Sequence, residues 1–396
     1  MREDGDAPAA SEEAKAGHVL PRTHTLIAYA IVTVLVLLTV VILPASGTIS
    51  VDPLPVNSGG VTEGTVVSVL ETSEQTTQIG TVHNQLLLVR SGGQEVEVQH
   101  GYVEGSANGF QLSEGDGVLL VENVGANGQT VYTIRDQERR SSIWLLSLGF
   151  ALLVVLVGGR QGGLSLVALA VSFLVIVRFV VPAIYSGWDP VLTAILGSLV
   201  IMTAALVIGH GPSRKTWIAL AGTAVSLGLT GLLAAFAVSL TRLTGYGDED
   251  AATFGTLTGG LVDPAGLLLA GIIIGALGVL DDVTTTQAST VMELRRANNQ
   301  LKPWDLFLRA MNVGRDHIAA TTNTLVLAYA GASLPLLMIL AGQSVTLGIL
   351  VSYEQLATEV VRTLVGSMGI VAAVPVTTAL AALVVSREPV VEPPEF

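Results

Sequence analysis

Apolar residues run through this chain in long unbroken blocks rather than in the short alternations of a soluble fold. The first block, Leu26 to Leu43, has the length that a membrane-spanning helix needs. Seven more follow, approximately Ile143 to Val157, Gly163 to Val181, Val191 to Ile208, Trp217 to Leu240, Ala265 to Leu280, Ile318 to Ala341 and Thr363 to Val385. Several lie near the lower limit for crossing a bilayer, which implies tilt or local thinning. Leu347 to Val351 is too short to cross and is expected at the interface. Pro264, with the glycine-rich stretch Gly255 to Gly260 before it, allows a re-entrant piece ahead of the sixth span.

Between the first two blocks the period changes. From Val61 to Asp136 the chain reads as about five short β-type runs separated by turn residues, and Glu95-Val96-Glu97-Val98-Gln99 alternates strictly, as a half-buried strand does. A small barrel or sandwich, resembling an OB-fold, is expected there. It would serve as a partner-binding module or simply as a packed cap.

The expected fold class is therefore an α-helical polytopic membrane protein of about eight transmembrane helices, with a small extracytoplasmic all-β domain between helices 1 and 2. Its expected domains are a disordered cytoplasmic tail (1–24), helix 1 (25–43), the β domain (61–136), a seven-helix bundle (143–385) with a cytoplasmic loop (281–316), and a cytoplasmic tail (386–396). Helix 1 could instead be a cleaved signal peptide, since Ala45-Ser46-Gly47 follows it. Against that stand its length and the acidic residues that precede it.

Composition sharpens the class. Half of the 396 residues are apolar and only 13% are charged, against about a quarter charged in soluble proteins. The formal charge of −13 leaves no clustered basic face, so nucleic acid is excluded as a partner. With no cysteine, thiolate chemistry and disulfides are excluded too. An N-in, C-in topology puts eleven Lys and Arg on the inner side near the membrane and five on the outer, in keeping with the positive-inside rule. Arg135, Arg139 and Arg140, just before the second span, run against it locally.

Motifs for nucleotide binding, zinc hydrolysis or serine hydrolysis are absent from the sequence, so no catalytic residue and no cofactor is assigned. Candidate chemistry rests on polar residues in or near the membrane, which are costly unless partnered. The densest group is GVLDDVTTTQAST, Gly278 to Thr290. If the helix continues there, Asp282, Thr286, Ser289 and Glu293 form one stripe, with Asp281 and Thr285 beside it and the amide of Gln287 nearby. Such an all-oxygen set suits a proton or a hard cation; the plainer reading is that Asp281 and Asp282 mark the water boundary. The second group opens the seventh span: His317, Thr321 and Thr324 on one face, with Asp316 and Asn323 beside it. His317 could exchange a proton near neutral pH, or Asp316 could cap the helix while Asn323 joins neighbouring helices. Gly271, Gly275 and Gly278 line one side of the sixth span and are expected to admit a neighbouring helix.

The long motifs GALGVLDDVTTTQASTVMELRRAN and GRDHIAATTNTLVLAYAGASLP, between Gly275 and Pro335, resemble the YibE/F-like family of bacterial multi-pass membrane proteins. The resemblance implies a permease without an agreed substrate and supplies no catalytic residues; it adds weight to Asp281, Asp282, Thr284 to Gln287, Arg315, Asp316, His317 and Asn323.

The expected function is a secondary transporter in the cytoplasmic membrane for a small solute or cation, with a polar path at the inner ends of helices 6 and 7. The alternative is a scaffold or regulatory protein that binds a partner through its β domain. A metal-assisted hydrolase would have only one nearby His and no conventional ligand spacing. Lipid is the certain partner, and a homo-oligomer is compatible with the sequence.

Overall fold

The computed structural model describes residues 22–45, 60–77, 80–103, 109–124, 130–342 and 346–387. Most of the two expected tails, and Ser46-Gly47 of the small-residue step, lie outside the described residues. The chain divides into two compact units, Pro55–Gly159 on one hand and Met1–Leu54 with Arg160–Phe396 on the other.

In the smaller unit, β1 (Val61–Thr77), β2 (Gly80–Ser91), β3 (Gln94–Val103), β4 (Gly117–Val124) and β5 (Thr130–Gln137) form one antiparallel sheet in the order β3-β2-β1-β4-β5. Gly92 and Gly93, at φ 58° and 85°, make the two-residue turn that joins β2 to β3, a geometry that needs positive φ at both positions. Register shifts in β1, between Val66 and Ser68 and between Val69 and Glu71, bend the long strand, and the edge strands β3 and β5 also approach each other. The core is Val66, Leu87, Val89, Val98, Leu112, Val118 and Leu120. Buried Gln85 ties the segment before β4 to the sheet: its amide donates to the Leu112 carbonyl and accepts from the Leu112 N–H, both at 3.0 Å. Arg139 pairs with Asp136 and Arg140 with Glu63, each at 2.8 Å. The hydrogen bond from Arg139 holds the Asp136 carboxyl below the usual carboxylate range.

The helices are α1 (Arg22–Leu37), α2 (Arg140–Val175), α3 (Pro190–His210), α4 (Arg214–Thr241), α5 (Glu249–Leu257), α6 (Pro264–Ala297), α7 (Pro303–Ala332), α8 (Leu334–Ala341) and α9 (Glu354–Val385). Among the described residues, six helices are long and apolar enough to cross a membrane, and α7 with α8 makes a seventh if that bent pair is one span. Asp189 and Asp263 cap α3 and α6 through their carboxylates, each followed by a proline in the first turn. α1 and α2 each end in a π-helical turn, Leu38–Ile42 and Ile176–Val180, and the two turns pack together.

The segments Ile143 to Val157 and Gly163 to Val181 are two helices that meet at Gly159, whose φ of 54° and ψ of −137° are not helical. The structure departs from the sequence reading in two places. The span expected from Ile318 to Ala341 is bent by 64° between α7 and α8, because Pro335 offers no N–H and its ring crowds the preceding turn. The expected loop 281–316 is mostly helix: α6 runs on to Ala297 and α7 starts at Pro303, since no glycine or proline interrupts the chain from Val279 to Lys302. The glycine-rich stretch before Pro264 carries the short helix α5 and turns at Gly259 and Gly260, with φ of 61° and 81°.

From Ile143 to Val157 nearly every apolar side chain is exposed, reaching 82% at Val157. A helix apolar on all sides needs lipid or protein around it. In the larger unit the core runs through α3, α4, α6 and α9, with α7 against α9.

Candidate membrane-embedded polar site

The central helices are joined by hydroxyl and amide groups as well as by apolar contact. Thr223 on α4 and Thr284 on α6 share a buried hydrogen bond of 2.7 Å between their hydroxyls. The Thr378 hydroxyl on α9 lies 2.9 Å from the Gln287 side-chain oxygen and 2.6 Å from the Val374 carbonyl. Gln287 is fully buried, and its amide nitrogen has no partner among the described residues. A buried unpaired donor costs about 1–3 kcal/mol, so it marks a place that a water or a polar ligand would complete.

Gly314 of α7 lies directly on that amide: a Cβ there would stand 3.1 Å from Gln287 Nε2. His317, one turn along α7, is half-buried, and its Nε2 also lacks a partner among the described residues. α6 and α7 therefore meet at Gln287 and Gly314.

The carboxylates diverge. Neighbouring helical residues point about 100° apart. Asp282 consequently faces out, exposed, whereas Asp281 turns inward. One Asp281 oxygen is buried with no hydrogen-bond partner among the described residues. Asp281 also lines a cavity of about 510 Å³ between α3, α6 and the part of α2 beyond Gly159. The polar end of this cavity holds Gln161, Gly209, His210 and Asp281; Leu169, Ile176, Met202 and Leu277 wall the remainder, with Ser165 and Ser172 on the α2 side. The Gln161 amide donates to the Gly209 carbonyl and so fixes one rim to the end of α3. The helix continues beyond Asp281 with Val283, Thr284, Gln287, Ala288 and Val291 all buried, so Asp281 does not sit where the bundle ends.

The remaining positions are structural or peripheral. The Thr285 hydroxyl donates to the backbone carbonyls of Asp281 and Asp282 at 2.9 and 3.0 Å. Thr286 and Ser289 are half-buried and lie on the outward side of α6 with Asp282. On α7, Asp316 and Asn323 are exposed and Thr321 is half-buried. Among the described residues, no three His, Asp or Glu side chains are grouped to hold a metal ion.

The glycine expectation is corrected in part. A Cβ at Gly275 would stand 2.9 Å from the Tyr329 hydroxyl, but one at Gly271 or Gly278 would meet nothing within 4 Å. Tight approaches between helices occur instead at Gly222 against Thr377, Gly369 against Thr230, Gly314 against Val374 and Gly197 against Val180. Sequence reasoning also missed His210, Gln161, Thr223 and Thr378. A signal existed for one of these faces: Thr223, Ser226 and Thr230 recur at i, i+3 and i+7 within an apolar run, the spacing of a single helix face, and all three are buried.

A family model described as YibE/F-like protein matches residues 146–387. No curated protein and no solved structure matches the chain.

Proposed function

The chain belongs to the YibE/F-like family, and from that premise we propose that it is a multi-pass permease or secondary transporter whose small solute or coupling cation meets Asp281 in the cavity behind α6. The observation that carries this is Asp281, which has one buried, unpartnered carboxylate oxygen and which lines a 510 Å³ space together with His210. An ionisable group in a membrane helix is expensive, and one turned toward a cavity rather than toward water or an ion partner is the arrangement that transport sites use. Binding a cation would supply the missing partner. Gln287 and His317 extend the polar face toward α7.

In this reading the membrane is crossed eight times. The stretch Arg140–Tyr185 has 46 residues. At 1.5 Å each it would be about 69 Å long if straight, more than twice the ~30 Å hydrocarbon thickness, so it crosses twice with its turn at Gly159. α7 and α8 together make one broken span. An even count puts both ends of the chain on one side, the cytoplasmic side by the charge balance, and the β domain on the other. Two of the three arginines that oppose this balance, Arg139 and Arg140, are engaged in ion pairs within the β unit.

The test is solute and proton flux in proteoliposomes containing the whole protein, with Gly278→Phe as the informative variant. Gly278 lines the cavity, and nothing within 4 Å opposes an added side chain. Flux is expected to fall to background while the unfolding temperature holds, because replacing a helical glycine gains up to about 1 kcal/mol. Unchanged flux in a folded Gly278→Phe protein removes the cavity from the path.

A further inference from the structure

Two adjoining cavities lie where α7 bends by 64° into α8, against the first turns of α9. One, of about 250 Å³, is mostly apolar, walled by Tyr329 and Ala330 of α7, Leu337 of α8 and Leu356 and Val360 of α9. The other, of about 190 Å³, is polar and is lined by Gly247, Asp248, Ser333, Gln355, Thr358 and Glu359. Ser333 and Glu359 line both, so the two make one slot with a polar end and an apolar end. Neither shares a lining residue with the cavity at Asp281. The polar end is held together across the chain. Glu354, the first residue of α9, accepts hydrogen bonds from the Thr244 N–H at 2.7 Å and the Gly245 N–H at 2.9 Å, which ties the loop before α5 to α9. A Cβ at Gly247 would stand 2.9 Å from the Glu354 carbonyl carbon and 3.0 Å from the Gln355 nitrogen, so glycine is what lets the two backbones approach and brings Asp248 to this place.

We propose that this slot binds an organic monocation, with an ammonium group held at the polar end and a short hydrocarbon body in the apolar end. Among the described residues, the lining of the two cavities holds two carboxylates and no Lys, Arg or His. Existing partners take one oxygen of each. The Asp250 and Ala251 N–H groups donate to Asp248 Oδ1 at 3.0 and 3.1 Å, and Arg362 donates to Glu359 Oε1 at 2.7 Å. Arg362 balances one of the two negative charges, and the single charge left over matches one ammonium. Thr358 is the independent sign of a ligand. It is 3% exposed and lines the polar cavity, and its hydroxyl has no hydrogen-bond partner among the described residues. Such a buried polar group is costly until something completes it. An ammonium carries three donors, and Asp248, Glu359 and the Thr358 hydroxyl offer an acceptor for each. A metal ion would use the polar end alone, and among the described residues no three His, Asp or Glu are grouped to hold one. The two cavities together fall within the roughly 300–1,000 Å³ of small-molecule sites, whose usual make-up is an apolar wall with a few convergent polar groups.

The experiment is isothermal titration calorimetry of the detergent-purified full chain with hexylammonium, set beside ammonium, sodium and hexanol. Hexylammonium is expected to bind, with affinity falling roughly 4-fold for each methylene removed on the way to butylammonium. Asp248→Asn is expected to weaken binding about 10- to 150-fold, the worth of one hydrogen bond to a charged group, while the cap on α5 survives because asparagine caps a helix as well as aspartate does. Thr358→Val removes the unpaired hydroxyl and keeps the shape, and is expected to weaken binding about 2- to 10-fold. Ala330→Phe fills the apolar end with both carboxylates in place and is expected to weaken binding as well, whereas Asp281→Asn is expected to bind hexylammonium like the parent. Ammonium or sodium binding as tightly as hexylammonium would make this a bare-cation site and overturns the proposal. Hexanol binding as tightly overturns it too, by leaving the carboxylates no part. So does unchanged affinity in both Asp248→Asn and Ala330→Phe, or loss of binding in Asp281→Asn.

Discussion

Asp281→Asn is expected to abolish solute or cation flux while leaving a folded protein, and Asp282→Asn is expected to transport like the parent. The two residues are adjacent in sequence and chemically identical, so composition and hydropathy cannot separate them; the helix does. Asp281 lines the cavity and has one oxygen unpartnered, whereas Asp282, about 100° round the helix, is exposed. A hydrogen bond to a charged group is worth about 1.5–3 kcal/mol, so losing the charge at Asp281 should weaken ligand binding roughly 10- to 150-fold. The unfolding temperature should stay level or rise, because a buried charge without a partner is a cost that the folded state carries for function. Thermal unfolding with and without a panel of monovalent cations and small solutes reads both quantities. In the parent, a ligand at a hundred times its dissociation constant adds about 2.7 kcal/mol, and that gain should fall to about 0.3–1.4 kcal/mol only in Asp281→Asn. Equal behaviour of the two variants would sink the assignment of Asp281 as the contact residue.

That contrast marks the limit of what the sequence could tell. Spans and strands were legible because their signals are periodic and redundant: a long apolar run survives any rotation about its axis, and Gly92-Gly93 between two alternating runs specifies a hairpin almost alone. Rotational phase was not legible. The stripe of Asp282, Thr286, Ser289 and Glu293 is a real face of α6, but it is the outward face, and the residues that join the helices are Thr284 and Gln287, about a quarter-turn or more away. His210 escaped notice because a histidine after a long apolar block reads as a boundary residue; only the fold places it in the wall of the cavity that Asp281 also lines. The two π-helical turns leave little trace in local composition, whereas the bend at α8 has its signal in Pro335.

Small residues teach the same lesson, and they carry the second large effect. Gly271-xxx-Gly275 is the spacing associated with close helix approach, yet Gly271 faces open space, while Gly222 and Gly369 belong to no such motif and are in tight contact. Their arrangement is reciprocal. Gly222 of α4 receives Thr377 of α9, and eight residues on, Thr230 of α4 is received by Gly369 of α9, so each helix offers one hollow and one knob in antiparallel register. Lipid is as apolar as leucine, so little drives α4 onto α9 except this fit and the hydroxyls it buries. A Cβ at Gly369 would stand against the Thr230 hydroxyl, 3.1 Å from its methyl and 3.3 Å from its Cβ. Gly369→Leu is therefore expected to cost about 1–3 kcal/mol or more through overpacking. Gly369→Ala should cost less and be partly rescued by Thr230→Ala, with a coupling on the order of 0.5–3 kcal/mol in a double-mutant cycle. Gly228→Ala, on α4 with nothing within 4 Å, should be neutral or gain up to about 1 kcal/mol. Reversible unfolding in mixed micelles measures all four. If Gly369→Ala matched Gly228→Ala, the reciprocal contact would not be what holds α4 to α9.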